Sequence, residues 1–170
     1  MVEGREFHSP KDYLDLARLP SATGEELREL SRSEYVFVRM AVAEHPATPS
    51  EALADLMPPK IETWNDGALV LVIVRNPSTG PDVLRQVPGL VLPGLHTRND
   101  NNAFAAGVAL AKRQDTPEDL LIQLISDPLA TTEFRKVIAR ETTHPTLIQH
   151  LRADASKRVR NAAARRSPSA

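Results

Sequence analysis

The chain has no cysteine, which removes disulfides, thiolate metal sites and cysteine nucleophiles at once. Its seven glycines are scattered, so there is no phosphate-cradling loop, dinucleotide fingerprint or nucleophile elbow. Aromatic residues make up only 4%, and a core has to be assembled from Leu, Val, Ile and Ala. No run approaches ~18 apolar residues, so no membrane span is expected. The opening MVEGREFHSPKDY lacks the apolar centre of a signal peptide. A cytoplasmic protein is therefore expected. The net charge of −1 supplies no overall pull toward nucleic acid or a membrane.

Proline is plentiful, at 14 of 170 residues. It breaks helix interiors but fits the first helical position, where its missing N–H is not needed. An all-helical chain can carry this much proline if its helices are short and begin at the prolines. A length of 170 residues with 41% hydrophobic and 25% charged residues suits one domain spanning 1–170.

Residues 38–56 read VRMAVAEHPATPSEALADL. Thr48-Pro49-Ser50-Glu51 has the form of a capping box, with the threonine hydroxyl accepting from the third helical N–H and Pro49 at the first position. Leu53 and Leu56, three apart, form one buried edge. Similar stretches follow Thr23, Thr79, Thr116 and Thr143, ahead of Leu27/Leu30, Leu84/Val87, Leu121/Leu124 and Ile148/Leu151. The segments before the caps align as well, with Val38, Leu69, Ala106, Phe134 and Val159 as equivalents. From the first four of these to Leu53, Leu84, Leu121 and Ile148 the spacings are 15, 15, 15 and 14 residues. Such regularity predicts a repeated helix–corner–helix unit whose neighbours stack to share a core, an α-solenoid. PKDYLDLARL (10–19) reads as an extra amphipathic helix, with Tyr13, Leu14, Ala17 and Leu19 inward. The plan is then a cap within 1–20, degenerate repeats over 21–168 and a frayed tail at 169–170.

Val38-Arg39 through Leu56, and Val159-Arg160 with Ala162 and Ala164, resemble the leucine-rich repeat variant family, whose units are similar in style to HEAT repeats. The resemblance implies an all-α, right-handed solenoid of short helix pairs with α and 3₁₀ helices alternating. It implies no catalytic activity, and without cysteine no iron–sulfur cluster carries over. The arginine of the Val-Arg pair is replaced by Val70 and Gly107 in the middle copies. Asp154, six residues before Arg160, has a spacing similar to the Asp–Arg pairs between HEAT-like repeats, so Arg39 and Arg160 are expected to serve structure.

Where the repetition fails, function is expected. The intervals from each short helix to the next unit are 8, 13, 19, 10 and 8 residues, so the extra length falls at one phase of the two central units. Insertions at one phase project from one edge, often the binding edge. The first, MPPKIETWNDG (57–67), holds the only tryptophan, Trp64, beside Asn65-Asp66-Gly67, a turn or helix-start signal. The second, over 87–102, has two Pro-Gly turns, Leu90-Val91-Leu92, and then His96, Arg98 and Asp100 within a polar run. Tryptophan and arginine are enriched at interface hot spots. Trp64, Asp66, His96, Arg98 and Asp100 are thus candidates for holding a protein partner. The competing reading folds Trp64 and Leu90–Leu92 back over the core.

His8, His45, His96, His144 and His150 have no metal-ligand spacing, and His45 and His144, beside prolines, look structural. No metal, cofactor or catalytic residue is expected. From Arg152 onward six basic residues face one acid, while residues 1–60 hold eleven acids against seven bases. Arg158, Arg160, Arg165 and Arg166 could therefore contact nucleic-acid phosphates. The blander alternative is a solvated terminal cap. A protein-interaction module is the first expectation, nucleic-acid binding the second and an enzyme without a recognisable motif the third.

Overall fold

The protein, described by a computed structural model over residues 9–96 and 101–165, has only helices as regular structure among those residues. One series comprises α1 (Pro10–Ala17), α3 (Val36–Glu44), α5 (Trp64–Arg75), α8 (Asn101–Lys112), α10 (Thr132–Glu141) and α12 (Lys157–Ala164). These alternate with α2 (Gly24–Leu30), α4 (Ser50–Leu56), α6 (Pro81–Leu84) with α7 (Val87–Val91), α9 (Glu118–Ser126) and α11 (Pro145–Arg152). In the first series each helix packs on the next, α1 on α3, α3 on α5, α5 on α8, α8 on α10 and α10 on α12. In the second, α2 packs on α4, α4 on α6, α7 on α9 and α9 on α11.

The expected α/3₁₀ alternation is not what forms. The shorter members α2, α4, α9 and α11 are α-helices of seven to nine residues, long enough to close i→i−4 bonds. The 3₁₀ geometry is confined among the described residues to Leu92–His96, where Pro93 and Gly94 interrupt the chain. In α1 the inward residues are Leu16 and Ala17, with Tyr13 and Leu14 half-buried, whereas Leu19 is 40% exposed. The helix ends at Ala17, and Leu19 falls outside its periodicity.

The aligned core positions Val38, Leu69, Ala106, Phe134 and Val159 are all buried. Helix α5 explains the unbroken apolar run GALVLVIV. Leu69 and Ile73 join the cluster built around α1–α4, while Val70 and Val74 join the cluster extending through α12. Val70 is fully buried in the second of these clusters, where a guanidinium would be cut off from water, and so an apolar residue stands where other units carry arginine. Gly107 departs for a similar reason. A Cβ there would lie 2.6 Å from Cζ of Phe134, so the buried ring occupies the space a side chain would need.

The threonines act differently from expectation. Thr23 forms the box predicted, its Oγ1 accepting from Glu26 N–H while Glu26 Oε2 accepts from Thr23 N–H. Thr48, Thr79 and Thr116 instead donate backwards, to Val42 O, Ile73 O and Leu110 O at 2.5, 2.5 and 2.8 Å. These carbonyls lie in the last turns of α3, α5 and α8, and Pro46 and Pro77 remove the i+4 N–H from Val42 O and Ile73 O, which keep only the N–H of His45 and of Asn76. The three hydroxyls are buried, and donating to these under-served carbonyls takes precedence there over capping the next helix. Helices α4 and α9 accordingly start one residue later, after Pro49 and Pro117. In the last copy Thr142, not Thr143, is buried, and it donates to Ala111 O.

Each corner also reaches back to the corner of the preceding unit. His45 accepts at Nδ1 from Ala47 N–H, which leaves Nε2 to donate to Leu19 O at 2.9 Å. Asn76 Nδ2 donates to Ala43 O and His45 O at 2.7 and 2.9 Å. Arg113 donates to Val74 O, Asn76 O and Thr79 O. His144 Nε2 in turn donates to Arg113 O. Four side chains of three chemical types thus perform one task.

Arg39 donates to Ser33 O and Glu34 O, and Arg160 donates to Asp154 O and Ala155 O, each pinning the loop ahead of its own helix. The structural role expected of both holds, but Asp154 does not pair with the guanidinium of Arg160. Its carboxylate reaches back to Arg135 Nε at 2.7 Å, with side-chain exposures of 19% and 9% for Arg135 and Asp154. Burial alone would raise the Asp154 carboxyl. The hydrogen bonds from Arg135 and Ser156 N–H, with the charges of Arg135 and Arg160, outweigh it and hold the group below the usual range. A depressed carboxyl contributes stability that is complete above its unfolded value of about 3.9 and is lost as pH falls below it. Asp154→Asn should lower the urea midpoint at pH 7 and flatten its decline below about pH 4 relative to wild type. An unchanged acid limb would remove Asp154 from that role.

Candidate functional site

Both insertions converge on one place. Thr63 begins α5 with a capping box, its Oγ1 accepting from Asp66 N–H and its N–H donating to Asp66 Oδ2 at 2.8 Å. Trp64 becomes the first helical residue, ahead of the stripes that bury α5, and is 70% exposed. Asn102 Nδ2 donates to Trp64 O, joining the start of α8 to the start of α5. Between the insertions lies a groove of about 510 Å³, lined chiefly by Pro59, Ile61, Trp64, Leu90 and Pro93. Val91 and Leu92 turn into the core, so the second insertion does cover it while Trp64 stays outside.

Asp66 plays another part. Burial would raise its carboxyl, but hydrogen bonds from Thr63 and Glu62 N–H, with the charge of Arg39, hold it below the usual range. It anchors the helix that presents Trp64. His96 closes the 3₁₀ turn. Arg98, Asp100 and Arg166 lie outside the described residues.

A second furrow, of about 630 Å³, runs between α10 and α12. Lys136 and Arg140 line it from α10, one helical turn apart, with Arg158 and Asn161 on α12 and Arg165 at its C-cap opposite. Lys136 pairs with Glu133 at 2.7 Å. No carboxylate among the described residues pairs with Arg140, Arg158 or Arg165. Arg160 does not line this furrow, since its guanidinium is committed to the loop carbonyls. Lys136 and Arg140 escaped the sequence reading. Their four-residue spacing in RKVIAR is visible, but that α10 lies against α12 is not.

Among the described residues no group of three His, Asp or Glu side chains could hold a metal ion, and no helix is long and apolar enough to cross a membrane. No known protein family, curated protein or solved structure matches the chain.

Proposed function

We propose that this chain is a cytoplasmic protein-interaction scaffold, a small right-handed α-solenoid that holds a partner protein at the edge bearing Trp64 and performs no catalysis itself. Support for the solenoid comes from the two series of helix contacts running in chain order and from the corner bonds passing from each unit to the one before it. Likeness to leucine-rich repeat variants and HEAT repeats rests on the spacing of the units and belongs to the same proposal.

The observation that carries the binding reading is Trp64, the chain's single tryptophan, standing 70% exposed at the rim of a concave, largely apolar groove. Tryptophan dominates interface hot spots because one rigid side chain supplies a large contact area at little entropic cost. The groove adds Ile61, Leu90 and two prolines, whose fixed backbones lose little freedom when a partner docks.

Trp64→Ala should leave the thermal unfolding midpoint nearly unchanged, because the side chain packs on little. It should weaken capture of the partner at least ten-fold, as expected where a hot-spot truncation costs about 2 kcal/mol. Tagged wild-type, Trp64→Ala and Arg158→Glu chains, compared side by side by quantitative co-purification, provide the test. A protein retained by the wild type and by Arg158→Glu but lost from Trp64→Ala supports the reading. Equal retention by all three overturns it.

A further inference from the structure

The two furrows have opposite chemistry. The Trp64 groove offers apolar anchors, whereas the α10–α12 furrow offers Lys136, Arg140, Arg158 and Arg165, with Ala162 its one apolar side chain among the lining residues. A protein partner needs a desolvated apolar anchor at the centre of its contact, and this furrow has none. It has no aromatic ring on which bases could stack either. What remains is a concave cationic surface for a ligand that carries its charge along its length.

We propose that the α10–α12 furrow binds the phosphodiester backbone of a single nucleic-acid strand, by charge and without reading the bases. Three of the four cations are arginines, whose planar forks match phosphate oxygens in pairs. Arg140, Arg158 and Arg165 have no carboxylate partner among the described residues, so of the four cations only Lys136, paired with Glu133, has to exchange a carboxylate for phosphate on binding. Along α10 the two cations are about 6 Å apart and along α12 about 10 Å, from a rise of about 1.5 Å per residue. Charge therefore lines both walls of the furrow. Because the ligand is read by charge, DNA and RNA are expected to bind alike.

Fluorescence anisotropy with labelled mixed-sequence and oligo-dT strands, titrated with the whole chain, tests this. Neutralising four phosphates of a single strand predicts a log–log salt slope near −3, a loss of roughly fifty-fold between about 50 and 200 mM salt. The two strands should bind within about three-fold of each other. Arg140→Glu with Arg158→Glu should weaken binding at least ten-fold, while Trp64→Ala leaves it unchanged. Both arginines are exposed, so circular dichroism should show the variant folded, and Arg140→Gln with Arg158→Gln provides a milder version should it not. Absence of binding at about 50 mM salt, a slope near zero, or binding insensitive to both pairs of substitutions would overturn the proposal. So would stronger displacement of the strand by polyglutamate than by unlabelled nucleic acid at equal charge, which would assign the furrow to an acidic protein.

Discussion

Phe134→Ala should lower the unfolding free energy by about 3–5 kcal/mol, the cost of removing a fully enclosed aromatic side chain from a core that cannot collapse around the void. Phe134 is among the largest of the fully buried residues. Its ring meets Phe104 edge-on, with centroids 5.3 Å apart and planes at 80°, and it lies over Gly107. A companion substitution makes the expectation sharper. Gly107→Ala gains about 1 kcal/mol of helix propensity in an interior turn. It also drives a methyl to 2.6 Å from Cζ and 2.8 Å from Cε2 of Phe134, and overpacking of that kind costs about 1–3 kcal/mol. In the wild-type background Gly107→Ala should therefore destabilise. In the Phe134→Ala background the obstacle is gone, and the same change should stabilise. Urea denaturation of the four chains in this cycle reads the sign directly. Stabilisation by Gly107→Ala in both backgrounds would mean that the ring has another place to go.

Asn76→Ala should cost about 2–4 kcal/mol, more than removal of any exposed ion pair. Asn76 is 4% exposed, and its amide does three things at once. Nδ2 donates to Ala43 O and to His45 O, while Oδ1 accepts from Ser78 N–H at 2.8 Å. Truncation strands Ala43 O and Ser78 N–H where water cannot readily replace the partner, and leaves His45 O with Thr48 N–H alone. Asn76→Asp should be at least as damaging, because a carboxylate would face the two carbonyls with no hydrogen to offer. Thermal melts at pH 7 and again near pH 3 separate the causes. If repulsion is the mechanism, acid should recover part of the loss in Asn76→Asp, since protonation restores a donor, and none in Asn76→Ala. Equal losses at both pH values would point to shape instead.

The buried positions were legible because they are written in spacing. Leucine pairs three apart, at near-constant distance from an upstream apolar residue, can be counted without knowing how the chain turns. The threonines were not legible to the same depth. Thr-Pro looks alike locally whether its hydroxyl accepts from the helix ahead or donates to the helix behind, and burial of Thr48, Thr79 and Thr116 decides the matter. The corner donors were hidden for a related reason. Histidine, asparagine and arginine share no side-chain pattern, only a position relative to a helix end. At the Trp64 edge, Asp66 was grouped with residues facing a partner, although Thr63 stands three residues before it in the spacing of a capping box. That signal was available. The juxtaposition of Lys136 and Arg140 with Arg158 and Arg165 was not, because it depends on two helices meeting past the intervening α11.

The corner bonds to main-chain oxygens all run in one direction. His45, Asn76, Arg113, Thr142 and His144 each supply a hydrogen to an oxygen that precedes them in the chain. A chain cut after any of these corners therefore keeps every acceptor its remaining donors need, whereas loss of residues 1–20 deprives His45 Nε2 of Leu19 O.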